Sequence, residues 1–337
     1  MTGTPLMWSL FATFVFVALL VDFFALRKQG AHQVTIREAA IWSLIWVAVS
    51  FIFVGWMWWH LGGMNPDPAL RAVANDKSLE FITGYLVEKA LAVDNIFVFL
   101  MLFTYFAVPA DYQKRVLMIG ILGALVLRAI MIFVGAWAIS RFHWTLYVFG
   151  AFLVFTGIKM WWAAGQEPDL ESNPALKWIR RHMRIAPNYD GERLTTVVEG
   201  VRMATPLAVV VILIGIVDVI FAVDSIPAIF AITTDTFIVL TSNVFAILGL
   251  RAMYFLLAGM HERFHLLSYG LALVLLLIGT KMLLIDVYKI PVVWSLGATL
   301  GILAATMILS LLIPPKGSAH RGAYPFARKR EAGDKRE

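Results

Sequence analysis

The sequence predicts an all-α, polytopic membrane protein of about nine transmembrane helices, organised around a 3+3 inverted-topology repeat, with the N-terminus outside and the C-terminus inside. Three observations predict it. Of 337 residues, 60% are hydrophobic and only 15% are charged, far from the average of a soluble domain. Apolar runs of the ~20 residues needed to cross a bilayer recur along the chain. Two of those runs carry related acidic motifs, Glu88-Lys89-Ala90-Leu91-Ala92-Val93-Asp94-Asn95-Ile96 and, 130 positions later, Asp218-Val219-Ile220-Phe221-Ala222-Val223-Asp224-Ser225-Ile226.

The apolar runs fall at 5–26, 38–60, 79–106, 115–139, 144–164, 205–231, 236–258, 266–287 and 292–313. The first lacks the basic leader of a secretory signal and is read as a retained helix. The second carries Trp42, Trp46, Trp56, Trp58 and Trp59, the last three placed for an outer aromatic belt. These two runs, residues 1–78, stand outside the repeat. The first repeat copy covers 79–164: the acidic helix, a helix with Leu127-Arg128-Ala129, and a helix with Gly157-Ile158-Lys159-Met160. The second, 204–288, returns the same order, with Leu250-Arg251-Ala252 and Gly279-Thr280-Lys281-Met282. Three spans per copy, an odd number, force the second copy into the membrane from the opposite side, a plan common in transporters. Gly120 and Gly123, and Gly150 with Gly157, permit close helix contacts. Pro109, Pro291 and Pro314 mark span ends.

Between the copies, 165–203 is a cytoplasmic loop. Its Pro174 to Arg184 stretch alternates apolar and basic residues at helical spacing, as a short helix on an anionic leaflet would. The last span occupies 289–314, and 315–337 is a basic tail expected to be disordered and drawn to lipid headgroups. The basic residues set the orientation. With the N-terminus outside, the inner segments hold nineteen Lys and Arg and the outer ones only Arg71, Lys77, Arg141 and Lys289.

Composition narrows the function. The sequence has no cysteine, so it has no disulfide, thiolate metal site or CxxC motif of its own. The net charge of +6 sits between apolar spans and argues for a membrane partner over nucleic acid. No phosphate loop, HExxH or nucleophile elbow is present, and the chain is read as neither an enzyme nor a holder of a prosthetic group. Oligomeric state is left open.

Acids in hydrocarbon cost at least ~2.5 kcal/mol each and are functional by default. Glu88 and Asp94 are six residues apart, about 120° around a regular helix, as are Asp218 and Asp224. They therefore do not share a face. Asp94 and Asp224, each followed by a polar residue (Asn95, Ser225), are the expected ion ligands, with Glu88 and Asp218 as further ligands or as groups for proton carriage or gating. Ser225-Ile226-Pro227 is an expected helix break that would add a freed carbonyl. Carboxylate and carbonyl oxygens suit a hard divalent cation such as Mg²⁺, Ca²⁺ or Mn²⁺. All seven histidines lie at span ends or in loops. Lys89, Arg128, Lys159, Arg251 and Lys281 are the candidates for charge compensation. Asp22, near Arg27 and Lys28, and Asp286, near an outer end, read as surface residues.

The two acidic strings, together with Thr241-Ser242-Asn243-Val244-Phe245-Ala246-Ile247-Leu248-Gly249-Leu250-Arg251-Ala252-Met253-Tyr254, resemble the TerC family of membrane proteins, most closely its Alx branch. The resemblance covers nearly the whole chain outside the tail. It implies a bacterial inner-membrane protein and a link to Mn²⁺ export, with Mn²⁺ as the transported ion; because moving a dication out against an inside-negative potential costs about 4.6 kcal/mol per 100 mV, coupling to proton influx is expected. Tellurite resistance and an older redox role are the alternatives. The family's intramembrane acids map onto Glu88, Asp94, Asp218 and Asp224. Its second motif commonly has an acid where this chain has Gly215 and a hydroxyl residue where it has Val217.

Overall fold

The computed structural model describes residues 2–29, 35–164, 174–198, 200–258, 266–288 and 290–313; the side chains of residues 22–29, Asp94 and Val292 lie outside the described set. So do the expectations for Asp22, Arg27 and Lys28, for Lys289, for 165–173 and for the 315–337 tail.

The described chain is almost entirely helical: α1 (Pro5–Gln29), α2 (Ile36–His60), α3 (Pro68–Tyr105), α4 (Ala110–Arg141), α5 (Thr145–Ala163), α6 (Pro174–His182), a hairpin of β1 (Thr195–Val198) and β2 (Val201–Ala204), then α7 (Pro206–Phe230), α8 (Thr236–Leu248), α9 (Leu250–Ala258), α10 (Leu267–Leu283) and α11 (Val292–Leu312). Each of the nine predicted runs holds helix. Among the described residues, length and apolarity alone qualify five as spans, α2, α4, α5, α7 and α11, or six if α8 and α9, bent by 42° at Gly249, are one broken span. Two of the others have identifiable reasons. In α3 the apolar half holds Glu80, Glu88, Lys89 and Asp94, while α10 has 17 residues.

Local chemistry sets the helix starts. Asp67 accepts a hydrogen bond from Ala69 N at 2.9 Å and Pro68 takes the first helical position, so α3 begins well before its apolar run. The expected break at Pro227 is absent: α7 runs unbroken through it to Phe230. Pro227 lies in the last turn, where its missing N–H frees only the Val223 carbonyl. The break occurs instead at Gly249.

Two helices form the centre. Every residue of α8 from Phe237 to Leu248 is buried, and α7 is buried along much of its length. Around them, α3 packs on α8, α4 on α7, and α5 on α10, while α1, α2 and α11 lie outside. Phe14, Phe53 and Phe81 on α1, α2 and α3 gather on Phe245 of α8, with ring centroids 5.0, 4.7 and 5.9 Å away. The α5–α10 crossing is made by glycines. A Cβ at Gly279 would lie 2.9 Å from the Gly150 carbonyl oxygen, and one at Gly157 would lie 3.0 Å from that of Ala272.

The amphipathic helix α6 buries Leu176 and Ile179 on the protein, next to α7, and leaves Trp178 exposed. Part of its apolar surface thus rests on the protein. The β1–β2 hairpin was not expected at all; its four-residue strands are too short to stand out in a sequence.

Asp235 ties the chain's start to the core. Its Oδ1 caps α8 by accepting from Phe237 N at 3.1 Å, and its Oδ2 accepts from Thr2 N at 2.7 Å and Thr2 Oγ1 at 2.6 Å. Burial opposes its ionisation, but these hydrogen bonds and the Lys77 charge outweigh it and hold the carboxyl below its ordinary value. A depressed folded-state value means stability that is present at neutral pH and lost as pH falls below the ordinary ~3.9. Asp235→Ala is expected to cost about 1–2 kcal/mol at pH 7, as helix caps do. The gap in thermal midpoint from the unsubstituted chain should narrow at pH 3; a gap that widens on acidification would contradict this role.

Candidate cation site

Arg128 organises the site. It projects from α4 and is 1% exposed, a fully buried guanidinium. Its Nη1 donates to Glu88 Oε1 on α3 in a close ion pair and to Ser225 Oγ on α7 at 3.3 Å; its Nη2 donates to Asp218 Oδ1 on α7 at 3.1 Å. Glu88 and Asp218, the leading acids of the two motifs, thus share one counter-charge. Both are buried. Among the described residues, Glu88 Oε2, Asp218 Oδ2 and Arg128 Nε have no hydrogen-bond partner. With both acids ionised, the cluster keeps one uncompensated negative charge.

Asp224 faces elsewhere, as a six-residue offset requires. It is half-buried, accepts from Thr156 Oγ1 on α5 at 3.2 Å, and feels the Lys159 charge on the same helix. With Asn95 and Ser225 it lines a cavity of about 10 Å³ between α3, α5, α7 and α10, enough for one water or one bare ion. A second cavity of similar size, about 10 Å³, lies between α3, α4, α7 and the α8–α9 break, and has Asp218 as its acid. Ser225 and Asp218 therefore connect the Arg128 cluster to one cavity each.

The sequence-predicted residues separate accordingly. Glu88, Asp218 and Ser225 meet at Arg128, while Asp224, Asn95 and Ser225 meet at the first cavity. Asp94 lies one residue before Asn95 on α3, its side chain outside the described set. Among the described residues, no group of three or more acidic or histidine side chains is placed to hold a metal. Of the compensating cations, Arg128 and Lys159 act on the acids. Lys89 Nζ donates to Ala246 O at 3.1 Å and lies 5.9 Å over the Tyr85 ring. It caps the carbonyl end of α8 at the bend, where a cation is favoured. The Lys281 charge acts on Glu80. Arg251 is half-buried on α9.

Glu80 escaped the sequence reading. It accepts from Lys77 Nζ at 2.8 Å and from Thr233 Oγ1 at 2.6 Å, which joins α3 to the α7–α8 turn. The i,i+3 spacing from Lys77 was its only local signal. Asp286 is exposed and accepts from the Tyr147 hydroxyl, as a surface residue would. At Gly215 a Cβ would have no neighbour within 4 Å, so the position has room for a side chain.

A profile of the "Integral membrane protein TerC family" matches residues 73–318, which include every helix of the site. The chain belongs to the TerC family. Among TerC relatives, it is 53% identical over 320 residues to the "Putative membrane-bound redox modulator Alx" of Escherichia coli (strain K12), with 95% of this chain and 98% of that one covered. The Shigella flexneri protein of the same name is likewise 53% identical, with 95% and 99% covered. An "Uncharacterized membrane protein STKORF319" of Myxococcus xanthus is 46% identical, with 92% and 93% covered. No solved structure matches. As a TerC protein with several membrane-crossing helices, the chain is a multi-pass integral protein of the inner membrane.

Proposed function

We propose that this TerC-family chain is a secondary transporter, not an enzyme, that exports Mn²⁺ from the cytoplasm in exchange for protons through carboxylates at the interface of two inverted repeats. The observation that carries the reading is the convergence of Glu88 and Asp218, one acid from each copy, on a single buried guanidinium beside a cavity lined by Asp224, Asn95 and Ser225. Buried acids that merely hold helices together are poor stabilisers; a path for a cation gives them a purpose.

The packing supports the repeat. If α3, α4 and α5 correspond to α7, α8–α9 and α10, the α3–α8 contact is the mate of α4–α7, and α5–α10 is its own mate. The glycine crossing follows suit: Gly150 against Gly279 answers Ala272 against Gly157. The nine-span topology, with the N-terminus outside, belongs to the same reading.

Energetics require coupling. Moving a dication out against an inside-negative potential costs about 4.6 kcal/mol per 100 mV. Two returning protons would cancel the charge moved. A carboxylate disfavoured by burial and favoured by a bound cation can alternate between proton and metal. Oxygen ligands suit Ca²⁺ and Mg²⁺ as well; Mn²⁺ is chosen by family resemblance.

Flux in proteoliposomes with an imposed pH gradient and competing cations tests this. Asp224→Asn or Asp94→Asn is expected to abolish Mn²⁺ flux while the protein still inserts; normal flux through either variant would refute the assignment. The names of the relatives favour a second reading, a redox modulator. With no cysteine in this chain, such activity would have to come from a partner. A stoichiometric oxidoreductase co-purifying with a chain that moves no metal would favour it.

A further inference from the structure

We propose that Arg128 is a tethered cation that occupies Glu88 and Asp218 when no metal ion is there, and so seals one cavity from the other. The proposal rests on the cation-transport reading of the same acids and adds to it the group that competes with the metal.

Position comes first. The guanidinium spans the short distance between the cavities: Nη1 reaches Ser225, which lines one, and Nη2 reaches Asp218, which lines the other. The guanidinium is thus in contact with a lining residue of each cavity.

Chemistry comes second. A guanidinium stays protonated in proteins, so Arg128 cannot serve as a proton carrier; it is a permanent positive charge. What it can do is compete. A dication held by Asp224, Asn95 and Ser225 would share Ser225 with Nη1 and repel the guanidinium at close range. A dication taking Glu88 would remove one of the group's two ion pairs. In either case Arg128 is driven from the α3 acid toward Asp218.

The third argument is the state of the cluster. Among the described residues, one oxygen on each acid and the Arg128 Nε lack partners, and with both acids ionised two carboxylates face one guanidinium. A half-satisfied buried network is less strongly held than a complete one, and an excess of buried negative charge favours a further cation. The site is thus filled, but by a cation that can be displaced. Because Arg128 sits on α4 while its partners sit on α3 and α7, its displacement changes contacts between the two three-helix units. Metal arrival would be linked in this way to their relative movement.

The test compares the full chain with Arg128→Gln, Arg128→Lys and the triple variant Arg128→Gln/Glu88→Gln/Asp218→Asn, all purified into nanodiscs. Manganese chloride is the probe. Binding is read by paramagnetic resonance, and the Mn²⁺-induced shift of the unfolding temperature is read alongside. Arg128→Gln is expected to bind Mn²⁺ about tenfold or more tightly than the unsubstituted chain and to gain more stability from it, since the competing charge is gone. Arg128→Lys should fall between, because a single ammonium lacks the fork that bridges both acids. The triple variant should lose the gain. Affinity unchanged in Arg128→Gln, or a gain that survives in the triple variant, overturns the proposal. If Arg128→Gln is unfolded without metal, Arg128→Lys decides: tighter binding supports the tethered cation and unchanged binding overturns it. Mn²⁺ flux by the unsubstituted chain is measured in parallel. Absent flux with a binding gain in Arg128→Gln defeats the export reading alone, and flux without the gain defeats the tethered cation alone.

Discussion

The double variant Glu88→Gln/Asp218→Asn is expected to be destabilised far more than the two single variants together. Each single substitution leaves Arg128 facing one remaining carboxylate, a neutral pair, and removes a charge in excess. Its cost should be that of an altered buried hydrogen bond, about 1 kcal/mol. The double substitution leaves a guanidinium that is 1% exposed without an anion, and stranding a buried charge in this way costs about 3–5 kcal/mol. A double-mutant cycle on thermal or denaturant unfolding in nanodiscs measures the excess directly. Additive losses would mean that the two acids do not share Arg128.

Gly279→Leu should be the most damaging single change on the α5–α10 interface. The first added carbon would already sit 2.9 Å from both the Gly150 carbonyl oxygen and Val154 N. These are backbone atoms and cannot turn aside. The helices must part, at a cost of about 1–3 kcal/mol or more for overpacking. Gly297→Ala on α11 is the control: nothing lies within 4 Å of its added carbon, and exchanging Gly for Ala inside a helix should gain about 0.5–1 kcal/mol. Opposite shifts of the unfolding temperature are expected. Equal shifts would show that the close crossing carries no energetic weight.

The residues explain how far the sequence could be read. The helices of the bundle were legible because apolar runs long enough to cross a bilayer are hard to mistake. The separation of the two acids in the second motif was legible too: six residues set Asp218 and Asp224 on different faces, and the structure turns one to α4 and the other to α5. Partner choice was not legible. Lys89 adjoins Glu88 in the chain, yet consecutive helical residues point apart, and it goes instead to Ala246 on α8. Arg128 reaches Glu88 across forty positions and Asp218 across ninety, which no local pattern encodes. The helix break was misplaced because proline is a louder signal than glycine. Pro227 sits where a helix is already ending, whereas Gly249 interrupts one in its middle, with Lys89 Nζ donating to the Ala246 carbonyl.

The glycine crossing of α5 and α10 has a mechanical meaning. Where backbone meets backbone there are no rotamers to exchange, so the contact can turn but cannot slide or yield. In a transporter whose two halves rock, such a point is an axle. If the proposed export runs by rocking of the two three-helix units, spin-label distances taken beside Gly150 and Gly279 should stay constant through the cycle, while those taken across Arg128 change the most.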